Sequence, residues 1–119
     1  MRFFLGVIFL LLLAYGLSFV LFVSNLPSAP EALPKADGIV ALTGGGERLD
    51  TAVALLERGV AKRLLVSGVA QETTKETVGK MADGGRRFAC CADLGYTAED
   101  THGNAEEAAG WARAHGYRS

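Results

Sequence analysis

Residues Phe3 to Val23 read FFLGVIFLLLLAYGLSFVLFV, a run of twenty-one positions with eighteen apolar side chains and no charge. As a helix it extends about 31 Å, the thickness of one hydrocarbon core. Its interruptions are Gly6, Gly16 and Ser18, all tolerated in lipid. A cleaved signal peptide would have an apolar stretch of about 7 to 15 residues and then an A-x-A-like site. This run is longer, and Ser24-Asn25-Leu26-Pro27-Ser28-Ala29-Pro30 offers no such site, so the segment reads as a retained anchor. Arg2 is the one side-chain charge before the run, and no Lys or Arg follows until Lys35. The positive-inside rule then predicts a cytoplasmic N-terminus, with residues from 24 onward outside, in the periplasm of a Gram-negative cell. Gly6 and Gly16 are ten apart and make no G-x-x-x-G dimer face.

Without residues 1–23 the other 96 residues carry eleven Lys/Arg and thirteen Asp/Glu, net -2. That length admits one domain and excludes two. Mild acidity argues against nucleic acid as a partner. Two cysteines exclude a disulfide scaffold, and fifteen glycines without a period exclude collagen.

Ser24 to Lys35 holds all three prolines, Pro27, Pro30 and Pro34, and reads as an extended tether. Asp37 to Thr43 is a short apolar run entering Gly44-Gly45-Gly46, the pattern of a buried strand and a tight turn. Glu47 to Arg58 follows with Leu49, Ala52, Val53 and Leu56 at helical spacing, and Gly59 stands where a left-handed C-terminal cap belongs. Arg63 to Gly68 repeats the strand pattern, so the stretch predicts a βαβ unit with parallel strands.

Further on, Glu72 to Ala82 predicts a weaker helix resting on Val78 and Met81, ended by Asp83-Gly84-Gly85. Phe88 to Leu94 predicts a third short strand. Asn104 to His115 predicts a helix with an apolar stripe of Ala105, Ala108, Ala109 and Ala112, Trp111 beside it, and Gly116 as its cap. A helix ended by glycine in such an alternation calls for another strand, and the sequence stops at Ser119. Three strands at most make a thin parallel sheet, and the pattern reads as a domain incomplete at its C-terminus. The expected organisation is an anchor over 1–23, a tether over 24–35 and an α/β domain over 36–119.

Ligands in open α/β sheets bind beyond the carboxyl ends of the strands. Gly44 to Arg48, Ser67-Gly68 and the stretch from Asp93 to Asn104 should converge there. Consecutive glycines turn backbone N–H groups inward as a nest, and the following helix adds its positive end, which suits phosphate or carboxylate. The spacing is neither G-x-G-x-x-G nor a Walker A loop. The other reading of the glycines is a turn for tight strand–helix packing. Arg48 would clamp an anion beside such a nest; otherwise it is an exposed arginine paired with Glu47 or Asp50.

Asp100, Thr101 and Asn104 are all preferred N-cap types, and Asn104-x-x-Glu107 resembles a capping box. Asp93, at a strand end, is the better candidate for a functional carboxylate. His102 has no identified partner. Cys90 and Cys91 are adjacent, so neither zinc nor thioredoxin chemistry is indicated, and on a strand they would point to opposite faces as buried thiols. No metal spacing is recognisable and no cofactor is specified.

The anchor, then Ala36-Asp37-Gly38-Ile39-Val40-Ala41-Leu42-Thr43-Gly44-Gly45, Arg48, Gly59-x-Ala61-x-Arg63-Leu64-Leu65-Val66-Ser67-Gly68, Asp93 and Thr101-x-x-Asn104-Ala105, resembles the YdcF/SanA/ElyC-like family. The likeness runs from about Ala36 to Ser119. It implies a Rossmann-like three-layer α/β domain tethered to the inner membrane and associated with envelope integrity and peptidoglycan or lipid-carrier metabolism. Two features depart from the family. Gly103 stands where the family has the glutamate of Thr-x-Glu-Asn, and the family continues into a strand and a His-Met-x-Arg-like segment. The expectation is therefore an envelope biogenesis factor. It would bind a phosphorylated cell-wall precursor or lipid carrier through Gly44, Gly45, Gly46, Arg48, Ser67, Gly68, Thr101 and Asn104. Asp93 is the one catalytic candidate, for a hydrolase or transferase step. The alternative is a non-catalytic scaffold for cell-wall enzymes, with the bilayer as the common partner.

Overall fold

The computed structural model describes residues 1–28 and 32–119, so Pro30 of the expected tether lies outside the described residues. The chain divides into two compact units, Met1–Ala32 and Leu33–Ser119.

The first unit is helix α1, Arg2–Ser24, 23 residues with no buried side chain. It is long and apolar enough to cross a membrane. Asn25 closes it: the backbone N–H and the side-chain amide both donate to the Leu21 carbonyl, at 3.1 and 2.7 Å.

The second unit is a sheet of three parallel strands in the order β1-β2-β3, with β1 at Ala36–Leu42, β2 at Ala61–Ser67 and β3 at Ala92–Leu94. Helices α2 (Gly46–Glu57), α3 (Lys75–Met81), α4 (Arg86–Cys91) and α5 (Thr101–His115) connect and flank them. The register places Ile39 beside Leu64, Ala41 beside Val66, and Val66 beside Leu94. Alternation along the strands sends these side chains to one face, where Ala52, Val53 and Leu56 of α2 and Phe88 of α4 complete the core. The opposite face carries Gly38, Arg63, Ser67 and Asp93, and α5 lies across it.

The βαβ unit forms as its pattern predicts. Helix α2 buries Ala52, Val53 and Leu56, with Leu49 packed against the same core. Its C-terminus is a Schellman turn: Gly59 N–H donates to Leu56 O at 2.9 Å and Val60 N–H to Leu55 O at 3.1 Å. Gly116 ends α5 in the left-handed region at φ 67°.

Several expectations are corrected. Residues 88 to 91 are helix, and β3 keeps only Ala92–Leu94. The cause is non-local. The Glu57 carboxylate, at the end of α2, accepts hydrogen bonds from Gly85, Arg87 and Phe88 N–H at 2.9, 3.3 and 2.9 Å and caps α4. Winding this segment drops the Phe88 ring, 3% exposed, over Gly79 and Gly84. Cys90 and Cys91 are consequently not buried thiols on a strand; they are joined by a disulfide at the end of α4, with Cys90 exposed. Helix α3 is shorter than predicted, with Val78 buried and Met81 72% exposed. Helix α5 starts three residues earlier than predicted, and Ala105 is exposed. Its row toward the sheet is Asn104, Glu107, Ala108 and Trp111, because Ser67 and Asp93 offer polar partners there.

Candidate functional site

The three parallel strands end together, and the segments leaving β1, β2 and β3 meet at their carboxyl ends. Gly44 has φ 106° and Gly68 φ 76°, conformations that admit glycine and strain other residues. Both follow the last residues of their strands closely and turn the chain off the sheet edge. The Thr43 hydroxyl donates to the Gly68 carbonyl at 2.7 Å. A side chain at Gly68 would meet Thr43 Oγ1 at 2.8 Å and Asn104 Oδ1 at 3.0 Å. Thr43, Gly68 and Asn104 therefore meet at the strand ends.

Gly45 is the N-cap of α2, with extended backbone and no side-chain cap, so the first N–H groups of the helix are not taken by a side chain. The Arg48 side chain folds back over this turn: a Cβ on Gly45 would lie 3.2 Å from its Nε. Arg48 pairs with neither Glu47 nor Asp50, and among the described residues its guanidinium has no carboxylate partner. The glycine turn itself lines a cleft of about 390 Å³ together with Leu42, Leu49, Val69 and Met81, among others, while Arg48 lines the neighbouring groove with Ile39, Ala41 and Leu55. No lining residue is titratable.

Ser67 is placed differently from a ligand contact. It is fully buried. Its Oγ lies 2.9 Å from Asn104 Oδ1 and donates to a carboxylate oxygen of Glu107. One hydroxyl proton serves one acceptor at a time. The ionised carboxylate is the stronger acceptor, and the Asn104 amide completes the contact when its NH₂ faces Ser67.

Glu107 is the residue that sequence reasoning missed. It accepts from Ser67 Oγ, from Gly68 N–H at 3.2 Å, and from Thr97 N–H and Oγ1 at 2.8 and 2.7 Å. Burial raises its proton affinity, but the hydrogen bonds from Ser67, Thr97 and Gly68 outweigh this and hold the carboxyl below its ordinary range. Gly95 lies so close that any side chain there would strike the Glu107 carboxylate. The available signal was spacing: Asn104, Glu107, Ala108 and Trp111 share one helical face, and the acidic member of that face needs donors.

Asp93 stands opposite Leu65, one step short of the strand's end, and is fully engaged. Arg63 grips it through Nε at 2.9 Å and a terminal nitrogen at 2.6 Å, and Trp111 Nε1 donates at 2.9 Å. The Arg63 guanidinium holds the carboxyl below its usual value against partial burial, and Trp111 adds to the effect. Its bonding partners lie on the α5 face and none belongs to the glycine turn.

Thr101 is the exposed first residue of α5, and the helix is capped by Asp100, which accepts from Gly103 N–H at 2.7 Å. The Asn104–Glu107 pair is thus not a capping box. His102 is exposed, 3.9 Å from Glu106. Among the described residues no group of three or more His, Cys, Asp and Glu is placed to hold a metal ion.

The structure therefore brings together Gly44, Gly45, Gly46 and Gly68 around the cleft, sets Asn104 against Gly68, places Arg48 against Gly45 but on the neighbouring groove along α2, and leaves Ser67, Asp93 and Thr101 in other roles. Comparisons of the chain with protein-family models, with curated proteins and with solved structures gave no match.

Proposed function

We propose that this chain is a single-span protein of the bacterial inner membrane, of the YdcF/SanA/ElyC-like kind, with its N-terminus cytoplasmic and a Rossmann-like domain in the periplasm. The domain binds a phosphorylated envelope precursor or lipid carrier in the cleft at the carboxyl end of β1. One observation carries the reading. An apolar cleft of about 390 Å³ opens at an uncapped helix N-terminus and a glycine turn, and the Arg48 side chain, without a carboxylate partner among the described residues, folds against Gly44 and Gly45 of that turn from the neighbouring groove. Apolar walls suit a prenyl chain, while backbone N–H groups and Arg48 suit its phosphate. The parallel βαβ arrangement, with its cleft at the strand ends, supports the Rossmann-like assignment.

The second reading, a scaffold that binds without turning over, draws on Asp93 and Ser67. Both are engaged by neighbouring side chains, and no titratable residue lines the cleft. Binding to the full chain in detergent micelles, measured with farnesyl phosphate, farnesol and inorganic phosphate, tests the assignment. Farnesyl phosphate should bind tightest. Arg48→Ala should weaken it by about 1.5–3 kcal/mol, the range for a hydrogen bond to a charged group. Equal affinity in the parent and in Arg48→Ala removes the site. Phosphate release from the parent would favour an enzyme over a scaffold.

A further inference from the structure

Helix α4 ends in two adjacent cysteines bonded to each other, Cys90 exposed and Cys91 partly so. Side chains one position apart leave an α-helix about 100° from each other and do not face. A bond between such neighbours calls for the helix to end where it forms. Here α4 stops at Cys91, and Ala92 turns to extended backbone at φ -100° and ψ 136°. Beyond that point the chain is pinned, because Ala92 is buried and stands beside Leu64 in the ladder. The covalent ring and the last turn of α4 therefore share the same short stretch, Ala89 to Cys91.

The surroundings suit exchange of this bond. Arg86 and Arg87 precede Cys90 and Cys91 by four positions each, the spacing that puts side chains on one helical face. Among the described residues neither arginine forms an ion pair. A guanidinium one turn away favours the thiolate that leaves when a disulfide is attacked. The Arg87 carbonyl oxygen lies 3.3 Å from Cys90 Sγ, so a thiol at Cys90 has an acceptor in place. The Ala89 carbonyl, among the last four of the helix, accepts from Lys75 Nζ at 2.8 Å. The same ammonium stands 6.0 Å from the centre of the Phe88 ring. Lys75 is the first residue of α3, so the turn that carries the disulfide also holds the start of α3.

We propose that Cys90–Cys91 is a reversible thiol–disulfide site, reduced by a dithiol, and that its closure fixes the last turn of α4 against Lys75 of α3. A thiolate of the co-reactant attacks Cys90 Sγ, the exposed sulfur. An S–S bond forms between them, the Cys90–Cys91 bond breaks, and its electron pair leaves on Cys91 Sγ, which takes a proton from water. Cys91 is adjacent and expels a lone thiol again by reclosing the ring. A second thiol on the co-reactant prevents this. As thiolate it attacks the co-reactant's own sulfur in the mixed disulfide and releases Cys90 as a thiolate, protonated in turn. The protein gains two electrons and two protons, and the dithiol becomes a disulfide.

The test uses the full ¹⁵N-labelled chain in lipid nanodiscs, with dithiothreitol as the dithiol. After oxidised glutathione the chain should be monomeric and take up no N-ethylmaleimide. Dithiothreitol without denaturant should expose both thiols to it, and oxidised glutathione should close them again. Reduction should speed amide exchange about tenfold at Ala89 and Ala92, in the last turn of α4, and at Val78 of α3. Lys75→Met should keep the response in α4 and lose it at Val78. The double variant Cys90→Ser, Cys91→Ser should exchange like the reduced parent and ignore dithiothreitol. Exchange in that variant equal to the oxidised parent's would show that the bond holds nothing and overturns the proposal. So would thiols that stay free in oxidised glutathione, a bond that opens only once the domain is unfolded in urea, or a bond formed between two copies.

Discussion

Glu107, on helix α5, accepts the hydrogen bond of the Ser67 hydroxyl, at the last position of β2 and forty residues earlier in the chain. Through that carboxylate the ends of β2 and of the loop after β3 are fastened to the first turns of α5. The candidate cleft inherits its shape from this tie, because Gly68 sits between Thr43 on one side and Asn104 on the other.

Glu107→Ala should destabilise the domain by about 2–3 kcal/mol, since it leaves Ser67 Oγ and two backbone N–H groups without their acceptor. Trp111 is the single tryptophan, so urea unfolding of the full chain in micelles can be followed by its fluorescence. A loss under about 0.5 kcal/mol, the range of an ordinary surface substitution, would remove Glu107 from this role.

Gly95→Ala should cost as much, because its methyl group occupies the space of the Glu107 carboxylate. In the Glu107→Ala background the same substitution should be nearly silent. The double-mutant cycle should give a coupling of about 1–3 kcal/mol, as for residues in direct contact. Additive effects would mean that Gly95 acts through its backbone alone.

Asp93→Asn should lower stability by about 1–2 kcal/mol by weakening the charged bond to Arg63, whose side chain and that of Asp93 are each about 30% exposed. Affinity for farnesyl phosphate at the cleft should stay within twofold of the parent. Turnover lost with stability intact would restore Asp93 to a catalytic part.

Four carboxyl groups set the acid limit. Asp37 is held down to about 2 by the hydrogen bond from Lys62 and by the Arg118 N–H. Phe88 and its neighbouring N–H groups lower Glu57, Arg63 lowers Asp93, and Glu107 is lowered despite its burial. Each folded value lies below the unfolded one, so the unfolded chain binds protons first as the pH falls. Their stabilisation is complete above the ordinary carboxylate range and is lost on acidification through the folded values. The urea midpoint should be flat from about pH 6 to 8 and fall from about pH 4.5 toward 2. A midpoint that rises on acidification would contradict these partners.

The proposed anchor, helix α1, predicts carbonate-resistant sedimentation with membranes, abolished by deleting residues 2–24. The single charge before the span, Arg2, predicts that a periplasm-active reporter fused after Ser119 is active. Activity from a cytoplasm-specific reporter alone would reverse the orientation.

What the residues determined by themselves is the part written in short-range periodicity. Twenty-one uncharged positions make α1 whatever surrounds it. The alternation of Ile39-Val40-Ala41, the stripe Ala52-Val53-Leu56 and the turn at Gly59 make β1–α2–β2, because each signal lies within one element or its cap. Tertiary structure decided the rest. Phe88 to Cys91 has the composition of a strand and becomes helix because Glu57, twenty-eight residues earlier, reaches Gly85 N–H and caps it. Glu107 has the place of a capping-box residue and becomes the central acceptor of the strand ends because Ser67, Gly68 and Thr97 aim donors at it. Asp93 has the place of a free strand-end carboxylate and is bound by Arg63 across the ladder and Trp111 from above. A polar side chain's role follows from which partners the fold brings within 3 Å, and those partners here are 10 to 40 residues away along the chain.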